Sequence, residues 1–323
     1  MAAVTLATQP FILTIPQEIT EHILKFCDPE DLARFAATCR LFHDIVYNDG
    51  DQAVWRIAYL SYPFDDPHRS LGRSHLSNAE ISWREEMQRR IEAQKVMSAK
   101  ADSAVLNATY NLDELTLDLG EDEEDRPLHR TLRTLVSVVG NAPLGSEGAS
   151  SDLAWVKKVL LNSPFFKRVD QYSYRWLDRD LAKPDGSRQL MARLQSYLAL
   201  SHEPGSDSAR MDKLRTTSRC FVYDLRKYQS ETRWGPYTLD AHRGLRANWE
   251  HVRHIQNVVL MNLRDFPHSW ENVWPEWGIE TTRPYSAPNV SNRKPWDWAG
   301  VEGKWRRVVC FMDYRSVSTS YCN

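Results

Sequence analysis

The sequence predicts an α+β protein in two parts: a small N-terminal helical module, then a larger domain, helical first and mixed α/β toward the C-terminus. Three observations predict it. Short apolar stripes with helical spacing and clean start signals crowd residues 10–60. Longer amphipathic stripes follow over 79–200. After Thr217, short apolar runs, one alternating segment and a concentration of tryptophan extend to 315. A turn-rich stretch, 61–78, reads as the linker, leaving 79–323 as the second domain, helical over 79–200 and mixed α/β over 215–315.

In "TIPQEITEHILKFC", Ile15, Ile19, Ile23 and Phe26 form one helical stripe with Leu24 beside it. Pro16 suits a first helical turn, and Thr14 and Gln17 have capping-box spacing. In "DPEDLARFAATC", Asp28 is placed to cap, Pro29 takes the first helical position, and Glu30 and Asp31 face the positive end of the helix dipole. Leu32, Phe35, Ala36 and Cys39 then follow i, i+3, i+4, i+7. A third helix offers Leu41, Phe42, Ile45 and Val46, and a fourth begins with Val54, Trp55 and Ala58. Burying a large aliphatic side chain contributes about 1.5–3 kcal/mol, while ordering the backbone costs roughly 1–2 kcal/mol per residue. Four such short helices therefore need support from the rest of the chain or from a partner.

Pro63, Pro67 and Gly72 break the linker. A helix follows with Trp83, Met87 and Ile91 as its inner edge, among Ile81, Arg84, Glu85, Gln88, Glu92 and Lys95. "GEDEED" at 120–125 reads as an exposed loop. Leu132, Leu135, Val136 and Val139 form another stripe, stopped near Gly140, and "PLGSEGASS" is a flexible loop. "LAWVKKVLLNSPFF" and "SRQLMARLQSYLAL" read as two more core helices, separated by the aromatic stretch "YSYRWLDRD". "RCFVYDLR" reads as a buried strand, and "RANWEHVRHIQNVVLMNL" as a helix with Trp249, Val252, Val259 and Leu263 inside. "KWRRVVCFMDYR" alternates, with Val308, Cys310, Met312 and Tyr314 on one face. Eight of the twelve tryptophans lie between Trp234 and Trp305, Trp270, Trp274 and Trp277 among them, which marks the last third for recognition. No 20–50-residue repeat points to a solenoid or propeller.

A net charge of -2 with no concentrated basic patch argues against a nucleic-acid partner, although "RWLDRD" and "KWRR" are locally basic. No apolar run is long enough to span a membrane, and the first residues lack a positively charged leader. Cys27, Cys39, Cys220, Cys310 and Cys322 are scattered and odd in number, which fits reduced thiols in the cytoplasm or nucleus.

The stretch from Ile15 to Leu60 resembles the F-box across nearly its whole length. The resemblance is carried by Ile15-Pro16, Glu18-Ile19, Ile23-Leu24, Asp31-Leu32, Cys39-Arg40 and Trp55, with Ile15 and Phe26 standing where the motif has leucine. It implies a substrate receptor of a cullin-type (SCF) ubiquitin ligase, in which these helices dock a Skp-type adaptor and, through it, a cullin scaffold. The adaptor-binding residues so implied are Ile15, Pro16, Ile19, Ile23, Leu24, Leu32, Phe35, Cys39 and Trp55. Within that set Ile15, Pro16, Ile19, Leu24 and Leu32 are expected to carry the contact, and Phe35, Cys39 and Trp55 to pin the helices together. "GPYTLDAHRGLRANWEHV" and "DWAGVEGKWRRVVCFMDYR" resemble the C-terminal regions of mushroom-type fungal F-box proteins, whose chains usually continue past "SVSTSYCN", so a closing strand is expected to be missing. The alternative is an F-box-like interaction scaffold working outside a ligase.

No residue set carries chemistry. G-x-S-x-G, H-E-x-x-H and phosphate-loop motifs do not occur, and the Cys39 thiol belongs to a core stripe, where thiols are inert. His251 and His254, one helical turn apart beside Glu250, could hold a metal only with a third ligand such as His242 or His268. The expectation is a non-catalytic adaptor with no cofactor and no metal, binding a protein target whose identity the sequence does not give.

Overall fold

The computed structural model describes residues 11–47, 52–70, 73, 75–98, 127–143, 150–163, 186–203, 207–240, 244–265 and 278–279. The chain divides into two compact units, Met1–Glu92 and Ala93–Asn323.

In the first unit a 3-10 turn, Phe11–Thr14, precedes α1 (Gln17–Leu24). The helix starts two residues later than a Thr14 cap would require, and the Gln17 amide donates forward to Glu21 Oε1 at 2.7 Å, so the expected capping box is not formed. Helix α2 (Pro29–Ala36) has Pro29 in its first turn as expected. Asp28 stands at the cap position, but its carboxylate accepts the Tyr62 hydroxyl at 3.0 Å instead of the helix's own N–H groups. Burial, then the bond to Asp28, push the Tyr62 phenol up to about 12. Helices α3 (Arg40–Tyr47) and α4 (Ala53–Ser61) complete the module. Leu24, Leu32, Ala36, Phe42, Ile45, Val46, Val54, Trp55, Ala58 and Tyr59 form its core, and Phe35 stacks on Phe42 at 4.1 Å.

Part of the stretch read as a linker carries buried side chains. Phe64, Asp65, Pro67 and Ser70 are buried, and Asp66 accepts from the His68 N–H at 3.0 Å to cap a 3-10 turn, Pro67–Arg69. Helix α5 (Trp83–Ser98) brings Trp83 edge-on to Tyr59 at 5.5 Å. Trp83 and Met87 are buried as expected, Ile91 is half-buried, and the inner edge continues through Arg90. The Arg90 guanidinium lies over the Tyr59 and Phe64 rings and donates to the Tyr59 hydroxyl at 3.2 Å.

In the second unit α6 (Pro127–Asn141) buries Leu132, Leu135, Val136 and Val139, as its periodicity predicts. It packs on α7 (Ser151–Asn162), whose Ser150 cap accepts from the Leu153 N–H at 3.1 Å, and on α8 (Ser187–Leu198). Helix α9 (Ser208–Val222) starts at an Asp207 cap that accepts from the Arg210 N–H at 3.0 Å. "RCFVYDLR" is therefore not a strand. Its first half is the last turn of α9, with Phe221 buried, and a 3-10 turn, Leu225–Lys227, follows. A run of four apolar or aromatic residues fits either structure, and the capped segment upstream decides it.

Strands β1 (Tyr237–Asp240) and β2 (Gly244–Ala247) form an antiparallel ribbon with Tyr237 opposite Ala247 and Leu239 opposite Leu245. Just ahead of it, Arg233 and Trp234 both have left-handed φ, 48° and 57°, which costs roughly 1–2 kcal/mol per residue. Helix α10 (Trp249–Arg264) packs on α8 and α9. Its buried face is not the expected one. Val259 is exposed and Trp249, Val252 and Leu263 are half-buried, while Glu250, His251, Arg253, His254 and Asn257 point inward with Val258 and Met261.

Among the described residues the protein has ten α-helices and one two-stranded ribbon, and that ribbon is the only β-structure the described part of 215–315 contains. "GEDEED", "YSYRWLDRD", the strand expected in "KWRRVVCFMDYR", and Trp270, Trp274, Trp277, Cys310 and Cys322 lie outside the described residues.

Candidate functional site

Helix α1 is eight residues long and lies on the module with one narrow side. Thr20 and Leu24, one turn apart, are its buried residues. The stripe that defines it in sequence faces the other way: Ile19 and Ile23 are 52% and 53% exposed, and Phe26, just past the helix, is 82% exposed. The spacings of four and three put them on one side, and the His22 ring meets Phe26 edge-on at 5.8 Å. Pro16 is exposed and Ile15 half-buried at the start of the same helix. An isolated exposed aliphatic residue means little, but several on one short helix are an unpartnered apolar face.

The nine residues singled out above separate by burial. Leu24, Leu32 and Trp55 are at most 2% exposed. Leu24 and Leu32, expected at the contact, are core side chains of α1 and α2. Trp55 pins helices as expected, donating its indole N–H to the Val46 carbonyl at 2.8 Å. Phe35 and Cys39 are half-buried, Phe35 against Phe42. Ile15, Pro16, Ile19 and Ile23 remain as groups a second protein can touch. Sequence reasoning left Phe26 out of the set, although it continues the Ile19–Ile23 line; Ile12, Leu41 and Leu60 are also exposed.

Polar residues share α1 with this face: Glu18 is exposed and Glu21 half-buried, with the Gln17 amide donating to the Glu21 carboxylate at 2.7 Å. An apolar centre among polar groups is the composition of a protein-docking patch.

The histidine pair of α10 is engaged internally. His251 Nε2 meets the Tyr228 hydroxyl at 2.9 Å. His254 accepts from Arg253 Nη2 at Nε2, 3.2 Å, which makes Nδ1 the protonated nitrogen that donates to Ser218 Oγ at 3.0 Å. Burial, reinforced by Arg253, holds His254 well below the usual imidazole range, and burial with Lys227 lowers His251. His242 and His268 lie outside the described residues, and no group of three or more ligating side chains gathers among the described ones.

A family model described as F-box-like matches residues 12–61. That span runs from the 3-10 turn through the last residue of α4, so the exposed face of α1 belongs to an F-box-like domain, a type of module that is typically a non-catalytic adaptor and binds Skp-type adaptors. No curated protein and no solved structure matches the chain. No described helix is long and apolar enough to cross a membrane.

Proposed function

We propose that the protein is a substrate receptor of a cullin-type ubiquitin ligase, docking a Skp-type adaptor through the F-box-like domain and a protein target through the second unit. The observation that carries this reading is the outward apolar face of α1, Ile19 and Ile23 with Phe26, inside the matched span. Ile15 and Pro16 extend it, while Leu24, Leu32, Phe35, Cys39 and Trp55 act on the adaptor through the shape they give the module. The chain performs no chemistry itself. It holds target lysines near the charged carrier enzyme, so its contribution is effective concentration. Such a receptor works in the cytoplasm or nucleus, and it is taken to be of the mushroom-type fungal kind on the resemblance of its C-terminal sequence alone.

Co-purification of the full chain with a Skp-type adaptor, wild type against an Ile15→Ala, Pro16→Ala double variant, tests it. Capture by wild type and its loss in the folded double variant supports the reading. A folded wild type that captures no adaptor refutes it and favours an F-box-like scaffold outside a ligase.

A further inference from the structure

One folded-back segment of the second unit exposes four large apolar side chains. Leu225 is 80% exposed, Trp234 70%, Leu239 64% and Tyr237 41%. The segment is braced by its own polar groups. Gln229 Nε2 donates to the Arg226 carbonyl at 2.8 Å, the Gln229 carbonyl accepts the Trp234 N–H at 3.0 Å, and the Thr232 hydroxyl accepts the Gln229 N–H at 3.0 Å. A Cβ at Gly235 would lie 2.7 Å from the Tyr237 ring, so that ring covers the backbone next to Trp234. Leu239, two residues along β1, shares the Tyr237 side of the strand. Together these side chains expose on the order of 500 Å², as much as the largest patch of an ordinary monomer, and such patches are often functional.

The charges on this segment select its occupant. Over 224–240 the acidic residues are Asp224, Glu231 and Asp240 and the basic ones Arg226, Lys227 and Arg233, equal in number, so neither an acidic nor a basic partner is favoured. Asp224 takes Arg226 at 2.8 Å and Lys227 at 3.7 Å. Glu231 and Arg233 are different. Both are exposed, two residues apart in the turn that carries Trp234, and neither has an ion-pair partner among the described residues. The Glu231 carboxylate bonds within its own turn, to its main-chain N–H and the Ser230 side chain. One acid and one base beside an apolar anchor suit a two-fold interface, in which residue i of one copy meets j of the other and j meets i. A net charge of -2 sets little repulsion between two copies.

We infer that this surface pairs two copies of the chain about a two-fold axis. Trp234, Tyr237 and Leu239 pack on their counterparts, Leu225 lies at the rim, and Glu231 of each copy meets Arg233 of the other. Two patches of this size bury about 1,000 Å², the lower edge of a specific interface, so the dimer is reversible with a dissociation constant of about a micromolar or weaker. The inference goes beyond the receptor reading and does not depend on it, since the pairing surface lies in the second unit and needs no adaptor.

Sedimentation velocity of the full chain over about 1–200 μM tests it, a range that spans such a dissociation constant. The expected result is a reversible monomer–dimer equilibrium with no larger species. W234A weakens it about a hundredfold, because each substitution is felt on both sides of the axis. E231R and R233E each weaken it about tenfold or more by setting like charges face to face. Mixing those two variants restores the dimer, because E231R then offers two cations to the two anions of R233E. Circular dichroism melts check that the variants stay folded, and L239K replaces W234A if it does not. The inference is overturned if wild type stays monomeric throughout, if it forms open-ended oligomers, if W234A dimerises like wild type, or if the mixture associates no better than either single variant. Failure of adaptor capture, measured separately, sinks the receptor reading and leaves this interface standing.

Discussion

The indole N–H of Trp55 donates to the main-chain carbonyl of Val46 at 2.8 Å, tying α4 to the last turn of α3, where carbonyls have no partner within their own helix. The bond closes the module from inside, and the Tyr47 ring lies 6.0 Å from the same indole. Trp55→Phe keeps most of the buried area but strands the Val46 carbonyl, which costs about 1–3 kcal/mol. Trp55→Ala adds a cavity and costs about 3–5 kcal/mol. Denaturant midpoints followed by far-UV dichroism measure both; equal stabilities for Trp55→Phe and wild type would show that the bond contributes nothing.

Two neighbouring residues of α1 have opposite consequences. Ile23 faces solvent and Leu24 the core. Ile23→Ala changes stability by less than about 0.5 kcal/mol, whereas Leu24→Ala costs about 2–5 kcal/mol. Thermal melting of the two single variants checks the orientation of the helix, and a reversed order would mean that α1 is rotated.

The aromatic cluster beyond residue 61 supports the module as strongly as its own core does. Trp83 is 1% exposed against Tyr59, outside the F-box-like match. Trp83→Ala is expected to cost about 3–5 kcal/mol and to lower the melting midpoint of the first unit. An unchanged midpoint would show the segment after α4 to be a loose linker after all.

Acid weakens the second unit before its carboxylates titrate. Burial lowers His202 to about 4, with Arg253, Arg210 and Arg264 pushing the same way and Glu203 opposing, and His254 is also held low. Unfolding returns both to about 6.5, so the unfolded chain binds protons first as pH falls. The stability from keeping these rings neutral is complete above about pH 6.5 and is lost progressively toward about pH 4, on the order of 3 kcal/mol for His202. Asp224 and Asp265, held low by Arg226 and Arg215, lose their contribution only further down. Melting midpoints should fall between about pH 7 and pH 5, and His202→Gln should flatten the slope. A wild-type midpoint that does not change over this range contradicts the neutral buried imidazoles.

What was legible in the sequence follows from what each signal depends on. The start of α2 was readable because Pro29 fixes its own φ whatever surrounds it. The stripe of α6 was readable because Leu132, Leu135, Val136 and Val139 follow one helical period, even though His129 and Thr131 are buried with them. For α10 the same reasoning chose the wrong face, since polar groups go inward when they satisfy one another: Arg253 on Gln195 at 2.7 Å, Gln189 on Asn248 at 3.1 Å, His254 on Ser218 at 3.0 Å. Those partners are 36 to 59 residues apart, beyond any local period. The apolar stripe of α1 was visible as a stripe, but periodicity does not say which way a stripe faces. The burial of Leu24, adjacent to Ile23, decides that.

The most direct test of the account is calorimetric titration of a purified Skp-type adaptor into the full chain, wild type beside an Ile19→Asp, Ile23→Asp double variant. The account predicts one-to-one binding by wild type and affinity lower by about a hundredfold or more in a double variant that melts like wild type. Equal binding by the two proteins, or no binding by wild type, would contradict it.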